Sequence, residues 1–256
     1  MKKTLFISNC AALVVTITIN YLSNSGLLNG NTMGTVSDRY ANYFTPAGYA
    51  FSIWGLIYLG LFGFAIYSWR SVKEEGSGLL KKTSWWFVLS CAANSLWVVA
   101  WLYEQTGLSV LLMIVLLVSL VKIVLNLGIG QEARSTKDLL LVQWPFSIYF
   151  GWVSVALIAN LAAFLTKIDW DGWGISEVNW AIIMVCIAGV VNLVVIWVRK
   201  IRAFGLVGIW ALLAIAVANG KGDGAEAIVN SCYVVAAVLA IVVSVSMFRN
   251  RHLSSL

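Results

Sequence analysis

Histidine is almost missing from this chain. The single copy, His252, stands in the C-terminal tail. Bis-histidine haem ligation, histidine-held intramembrane metals and a Ser–His nucleophile all need imidazole inside the fold, so these classes are excluded. Proline is nearly as scarce, with only Pro46 and Pro145. Charged residues make up 11% of the chain, and none of the acidic ones lies at the centre of an apolar run. Proton- and sodium-coupled transporters place carboxylates at such depths, which counts against an ion-driven pump. There is no lysine in a late apolar run for a retinal-type Schiff base, and no GxSxG, HExxH or P-loop pattern. The four cysteines, Cys10, Cys91, Cys186 and Cys232, fall in four different apolar runs without CxxC spacing. They read as free thiols, with neither a metal site nor a disulfide framework.

What the chain has is long apolar runs. Of 256 residues, 61% are hydrophobic, and the mean hydropathy is +0.88. That composition specifies an all-α polytopic membrane protein. The short alternating segments of a β-barrel are absent, and in lipid the backbone must bond to itself, so the runs are helices. The net charge of +6 does not indicate a nucleic-acid partner, because the basic residues lie in short clusters between spans.

The spacing predicts eight spans, at 5–19, 45–69, 84–103, 108–128, 139–165, 180–198, 203–218 and 227–248. The first follows Lys2 and Lys3 like a signal peptide, but no clean small-x-small site follows, so it reads as an uncleaved span. Pro46 is expected in the first turn of the second span, where its missing N–H is harmless. With both termini on one side, that side holds Lys2, Lys3, Arg70, Lys73, Lys81, Lys82, Arg134, Lys137, Arg199, Lys200, Arg202, Arg249 and Arg251. The other holds Arg39, Lys167 and Lys221. The bias places both termini in the cytoplasm. Lys122, near the cytoplasmic end of the fourth span, is expected to snorkel.

The remaining chemistry is aromatic and amide. Thirteen tryptophans are present. Trp69, Trp85, Trp86, Trp170, Trp173 and Trp180 lie near span ends and suit the interfacial belt. Trp54, Trp97 and Trp152 lie deeper. They serve either helix packing or a flat aromatic pocket with indole N–H donors. Asn94, three residues before Trp97, needs a partner on a neighbouring helix or on a ligand. Asn160 is two turns after Trp152, and Ala156 is small enough for close approach.

Three motifs then coincide. Pro46 is followed by Trp54 eight residues on and Tyr58 twelve on. Asn94, Leu96 and Trp97 form an Asn-x-Leu-Trp signature. Trp152, Val153, Ser154 and Ala156 form Trp-Val-Ser-x-Ala, with Asn160 eight residues after the tryptophan. In this order, on the second, third and fifth spans, they resemble the TspO/MBR family of tryptophan-rich sensory and translocator (peripheral benzodiazepine receptor-like) proteins. Pro145 departs from that pattern, standing seven residues before Trp152 rather than four.

The resemblance covers residues 3–166. It implies a five-helix TspO-like bundle over 1–168, with residues 169–256 adding about three transmembrane helices. It further implies an intrahelical pocket that binds porphyrins, haem-like tetrapyrroles or other flat hydrophobic ligands, as a sensor or carrier. The implied ligand-binding residues are Trp54, Tyr58, Asn94, Trp97, Trp152 and Ala156. No obligatory cofactor, metal or catalytic residue is expected. Membrane lipid and a small hydrophobic ligand are the expected partners, with a homodimer compatible, and the expected location is the bacterial inner membrane. The alternatives are a small-molecule permease without ion coupling and a weak porphyrin-degrading activity.

Overall fold

In the computed structural model, residues 2–73, 78–131, 135–220 and 224–253 are described, the last six without their side chains. Arg134 and Lys221, and the side chains of Arg249, Arg251 and His252, therefore lie outside the described residues.

Among those residues the regular structure is helical, with no strand. The longer helices are α1 (Lys2–Leu22), α2 (Met33–Arg39), α3 (Ile53–Ser68), α4 (Trp86–Leu102), α5 (Thr106–Leu127), α6 (Trp144–Lys167), α7 (Glu177–Val194), α8 (Arg202–Asn219) and α9 (Glu226–Leu253). Seven helical stretches among the described residues are long and apolar enough to cross a membrane, and α4 is a shorter apolar helix of 17 residues. The protein is an all-α, integral, multi-pass membrane protein.

The helices pack in a chain of neighbours: α1 on α4, α4 on α5, α5 on α6 and α6 on both α3 and α8, while α9 packs on α7 and α8. Helix α6 is thus the central post. The two ends of the bundle differ in charge. At the basic end, Asn126 Nδ2 donates to the Lys82 carbonyl and Arg199 Nη2 to the Ile129 carbonyl. At the acidic end, the Glu104 carboxylate accepts from Arg39 and, at 2.5 Å, from the Tyr40 hydroxyl, while Lys167 donates to the Glu104 carbonyl. The Tyr40 hydrogen bond, helped by Arg39, Asn31 and Lys167, holds the Glu104 carboxyl below its ordinary 4.5 despite partial desolvation. A depressed carboxyl stabilises the fold above its unfolded value, and this contribution disappears as pH falls through the folded value. Thermal unfolding in detergent is therefore expected to lose less Tm between neutral pH and pH ~4 in Glu104→Gln than in the wild type. An identical acid sensitivity in the two proteins would show that Glu104 contributes nothing to it.

Pro46 differs from expectation. It precedes a 3-10 turn over Gly48–Ser52 instead of occupying the first helical turn. The Ala47 N–H donates to the Ala214 carbonyl on α8 at 3.0 Å, which holds this stretch extended against α8 before the helix begins. Lys122 is exposed on α5. Trp69, Trp85 and Trp173 are exposed near helix ends, while Trp54, Trp97 and Trp152 are buried.

Candidate functional site

Trp54 is the hub of the aromatic core. Its ring stacks on Tyr58 (5.6 Å between centroids, 17° between planes) and lies 5.6 Å from Trp97. It meets Tyr149 and Trp152 edge-on at 5.8 and 6.4 Å. Such offset and edge contacts suit aromatic quadrupoles and fix ring planes. Phe51 also meets Trp152 edge-on, at 6.2 Å.

Beside this cluster lies a cavity of about 50 Å³. Trp54 and Phe51 form one wall, Trp97 and Trp101 on α4 another. Helix α6 lays down a strip of Trp152, Val155, Ala156, Ala159, Asn160 and Ala163, whose spacing of three and four keeps one face small. Helix α8 adds Ala211 and Ile215. The acidic end is closed by Met33 and Ser37 of α2 and by Phe44, Thr45 and Pro46. This cover is pinned twice more: Trp101 Nε1 donates to the Met33 carbonyl, and Asn219 Nδ2 of α8 donates to the Tyr43 carbonyl.

Four of the six expected residues, Trp54, Trp97, Trp152 and Ala156, line this cavity. Tyr58 and Asn94 stand behind it. The Asn94 side-chain Oδ1 accepts from Asn20 Nδ2 at 2.8 Å and from the Tyr58 hydroxyl at 3.3 Å. Its amide nitrogen donates to the Tyr149 hydroxyl at 3.0 Å. Asn94 is wholly buried, and its partners come from α1, α3 and α6, so its amide fastens helices rather than facing the cavity. Interhelical hydrogen bonds in membranes are worth roughly 0.6–2 kcal/mol each. Asn94→Leu is expected to destabilise the protein by about 2 kcal/mol, since it also strands buried donors. A Tm shift in detergent measures this, and an unchanged Tm would refute the role.

Trp97 and Asn160, on the cavity wall, are paired with each other. Trp97 Nε1 donates to Asn160 Oδ1 at 3.0 Å, and Asn160 Nδ2 donates to the Ser109 hydroxyl at 2.8 Å. Trp152 differs from them. Only 2% exposed, it holds an indole N–H that has no acceptor. A buried donor without a partner costs about 1–3 kcal/mol and calls for an explanation.

Several lining residues escape the sequence motifs. Trp101 follows Trp97 by one turn, and Ala159 and Ala163 follow Ala156 at helical spacing, so periodicity alone could have found them. Ala211 and Ile215 had no such signal, because their helix carries no motif.

A family model described as TSPO-like protein matches residues 6–245. No curated protein and no solved structure matches the chain. The family match therefore reaches well past the motif-bearing residues 3–166, through α7 and α8 and into α9. That reach agrees with the architecture, in which α8 supplies part of the cavity wall. The chain belongs to the TSPO-like protein family.

Proposed function

We propose that the protein binds flat hydrophobic ring compounds, tetrapyrroles among them, in the cavity between α3, α4, α6 and α8, acting as sensor or carrier. The observation that carries this reading is the aromatic-walled cavity lined by Trp54, Trp97 and Trp152, together with the buried Trp152 N–H that has no acceptor. A ligand with an acceptor over that indole gains a hydrogen bond that the empty protein lacks. Trp54 and Trp97 offer ring faces, Ala156 offers clearance, and Tyr58 and Asn94 hold the aromatic frame without touching the ligand.

A cavity of about 50 Å³ is far below the ~300 Å³ of an ordinary ligand pocket. Binding therefore requires the walls to separate. The cover over residues 33–46 is the movable wall: it does not cross the membrane and is held by a few hydrogen bonds. The basic end faces the cytoplasm in this reading, which follows from the distribution of lysine and arginine.

Saturable porphyrin binding in detergent, followed by tryptophan quenching, tests the proposal. Unsaturable partitioning, equal in protein-free micelles, would end it. Flux in proteoliposomes separates a carrier from a sensor.

A further inference from the structure

A second, larger cavity of about 480 Å³ opens at the acidic end, between residues 41–44, the end of α6 and the start of α7. Its composition is unlike that of the inner cavity. Tyr43, Trp170 and Trp180 supply aromatic surface, and Asp169, Asp171 and Glu177 supply three carboxylates. No lysine or arginine lines it among the described residues. Lys167, the neighbouring cation, is occupied elsewhere, donating to the Glu104 carbonyl and lying over the Tyr40 ring.

The aromatic side is preorganised. Trp170 and Trp180 pack with ring centroids 5.1 Å apart, and Trp180 Nε1 donates to the Gly172 carbonyl at 2.7 Å. Asp171 Oδ1 accepts from the Trp173 N–H at 3.0 Å, which fixes the turn carrying these residues. The cavity sits where helices end, and its inner edge is apolar with Ala162, Ala181 and Met184. Phe44, only 1% exposed, lines both cavities and forms the partition between them.

We propose that this outer cavity is a separate binding site for a lipophilic organic cation, an ammonium or phosphonium group on an apolar body. Indole faces attract such cations through the ring quadrupole, the carboxylates add one-sided charge, and the apolar edge takes the body. An anion of the same shape meets repulsion instead.

The test is equilibrium dialysis of purified protein in detergent with tetraphenylphosphonium and with tetraphenylborate, its near-isosteric anion. The expected result is saturable binding of the cation at one per chain, with the anion at least tenfold weaker. Asp169→Asn with Glu177→Gln should weaken the cation about tenfold at unchanged Tm, and Thr166→Trp, at the exposed rim, should block it. Trp152→Phe, in the inner cavity, should leave it unchanged. Displacement by dihexanoyl phosphatidylcholine would assign the natural cation to a lipid headgroup, and lack of displacement to a free solute. Equal binding of cation and anion, or indifference to the carboxylate pair, overturns the proposal. Loss of the cation in Trp152→Phe alone would place it in the inner cavity and overturn it equally. The carboxylate and anion arms leave the porphyrin proposal untouched.

Discussion

Gly130→Ala is expected to destabilise the protein by about 3 kcal/mol or more, a large effect for one methyl group. Two causes add. Gly130 has φ +82°, where a non-glycine residue costs roughly 1–2 kcal/mol. A Cβ there would also lie 2.0 Å from the Arg199 carbonyl oxygen and 2.9 Å from Ile201 Cγ1. The first contact is with backbone and cannot be relieved by a rotamer change, and overpacking of this kind costs a further 1–3 kcal/mol or so. The position matters because it is a seam. The turn after α5 meets the turn before α8 at this point, with Arg199 Nη2 donating to the Ile129 carbonyl and Gln131 Nε2 to the Val198 carbonyl. Wedging it open separates the helices that carry the motifs from those that follow. Gly26→Ala is the control, since Gly26 has φ +73° and nothing within 4 Å of its Cβ position. It should show the conformational cost alone. Equal Tm losses in the two variants would mean that the seam yields freely and the contact is unimportant.

The second large effect concerns Trp152, and it has opposite signs for binding and stability. Trp152→Phe keeps a large aromatic ring but deletes the N–H that has no acceptor in the folded protein. Deleting an unsatisfied buried donor relieves a penalty, so the Tm is expected to hold or rise. Porphyrin affinity is expected to fall about tenfold, which is the loss of one hydrogen bond of about 1.4 kcal/mol. A purely packing tryptophan behaves differently: its replacement by the smaller ring lowers stability through a void and leaves affinity almost untouched. Titration and thermal unfolding of the same preparation distinguish the two outcomes. A lower Tm with unchanged affinity would assign Trp152 to packing.

The membrane class was legible because apolar length and backbone hydrogen bonding in lipid leave only one kind of answer. Trp54, Trp97, Trp152 and Ala156 were legible as a group through motif spacing, and they do meet around one cavity. Asn94 shows the limit of that logic. A buried amide in a span announces that it needs a partner, yet sequence cannot say whether the partner is ligand or protein. In the folded chain Asn20, Tyr58 and Tyr149 occupy it. Asn20 belongs to α1, whose contribution no local pattern could forecast. The same holds for α8. Its backbone Ala214 carbonyl accepts from Ala47, and Trp210 Nε1 donates to the Ala50 carbonyl at 3.4 Å. Both contacts join distant parts of the chain through main-chain oxygens, which leave no trace in side-chain pattern. They also explain why Pro46 failed as a helix start, since its neighbour is held by a distant helix.

Close approach at Gly208 belongs to the same class of hidden determinants. A Cβ there would fall 2.3 Å from Asn192 Oδ1, a buried oxygen without a donor. The glycine admits α8 to α7 at that level, and only the assembled bundle shows why it is small.

Porphyrin titration of the wild type against Ala156→Trp, in the same detergent, probes the inner cavity as the binding site. Ala156 lines that cavity on the small face of α6, and an indole there fills the space between Trp54, Trp97 and Trp152. Saturable quenching near one porphyrin per chain is predicted for the wild type, with affinity at least tenfold lower in Ala156→Trp. Equal saturable binding by both proteins would contradict binding in this cavity, because the ligand would then be held elsewhere in the protein.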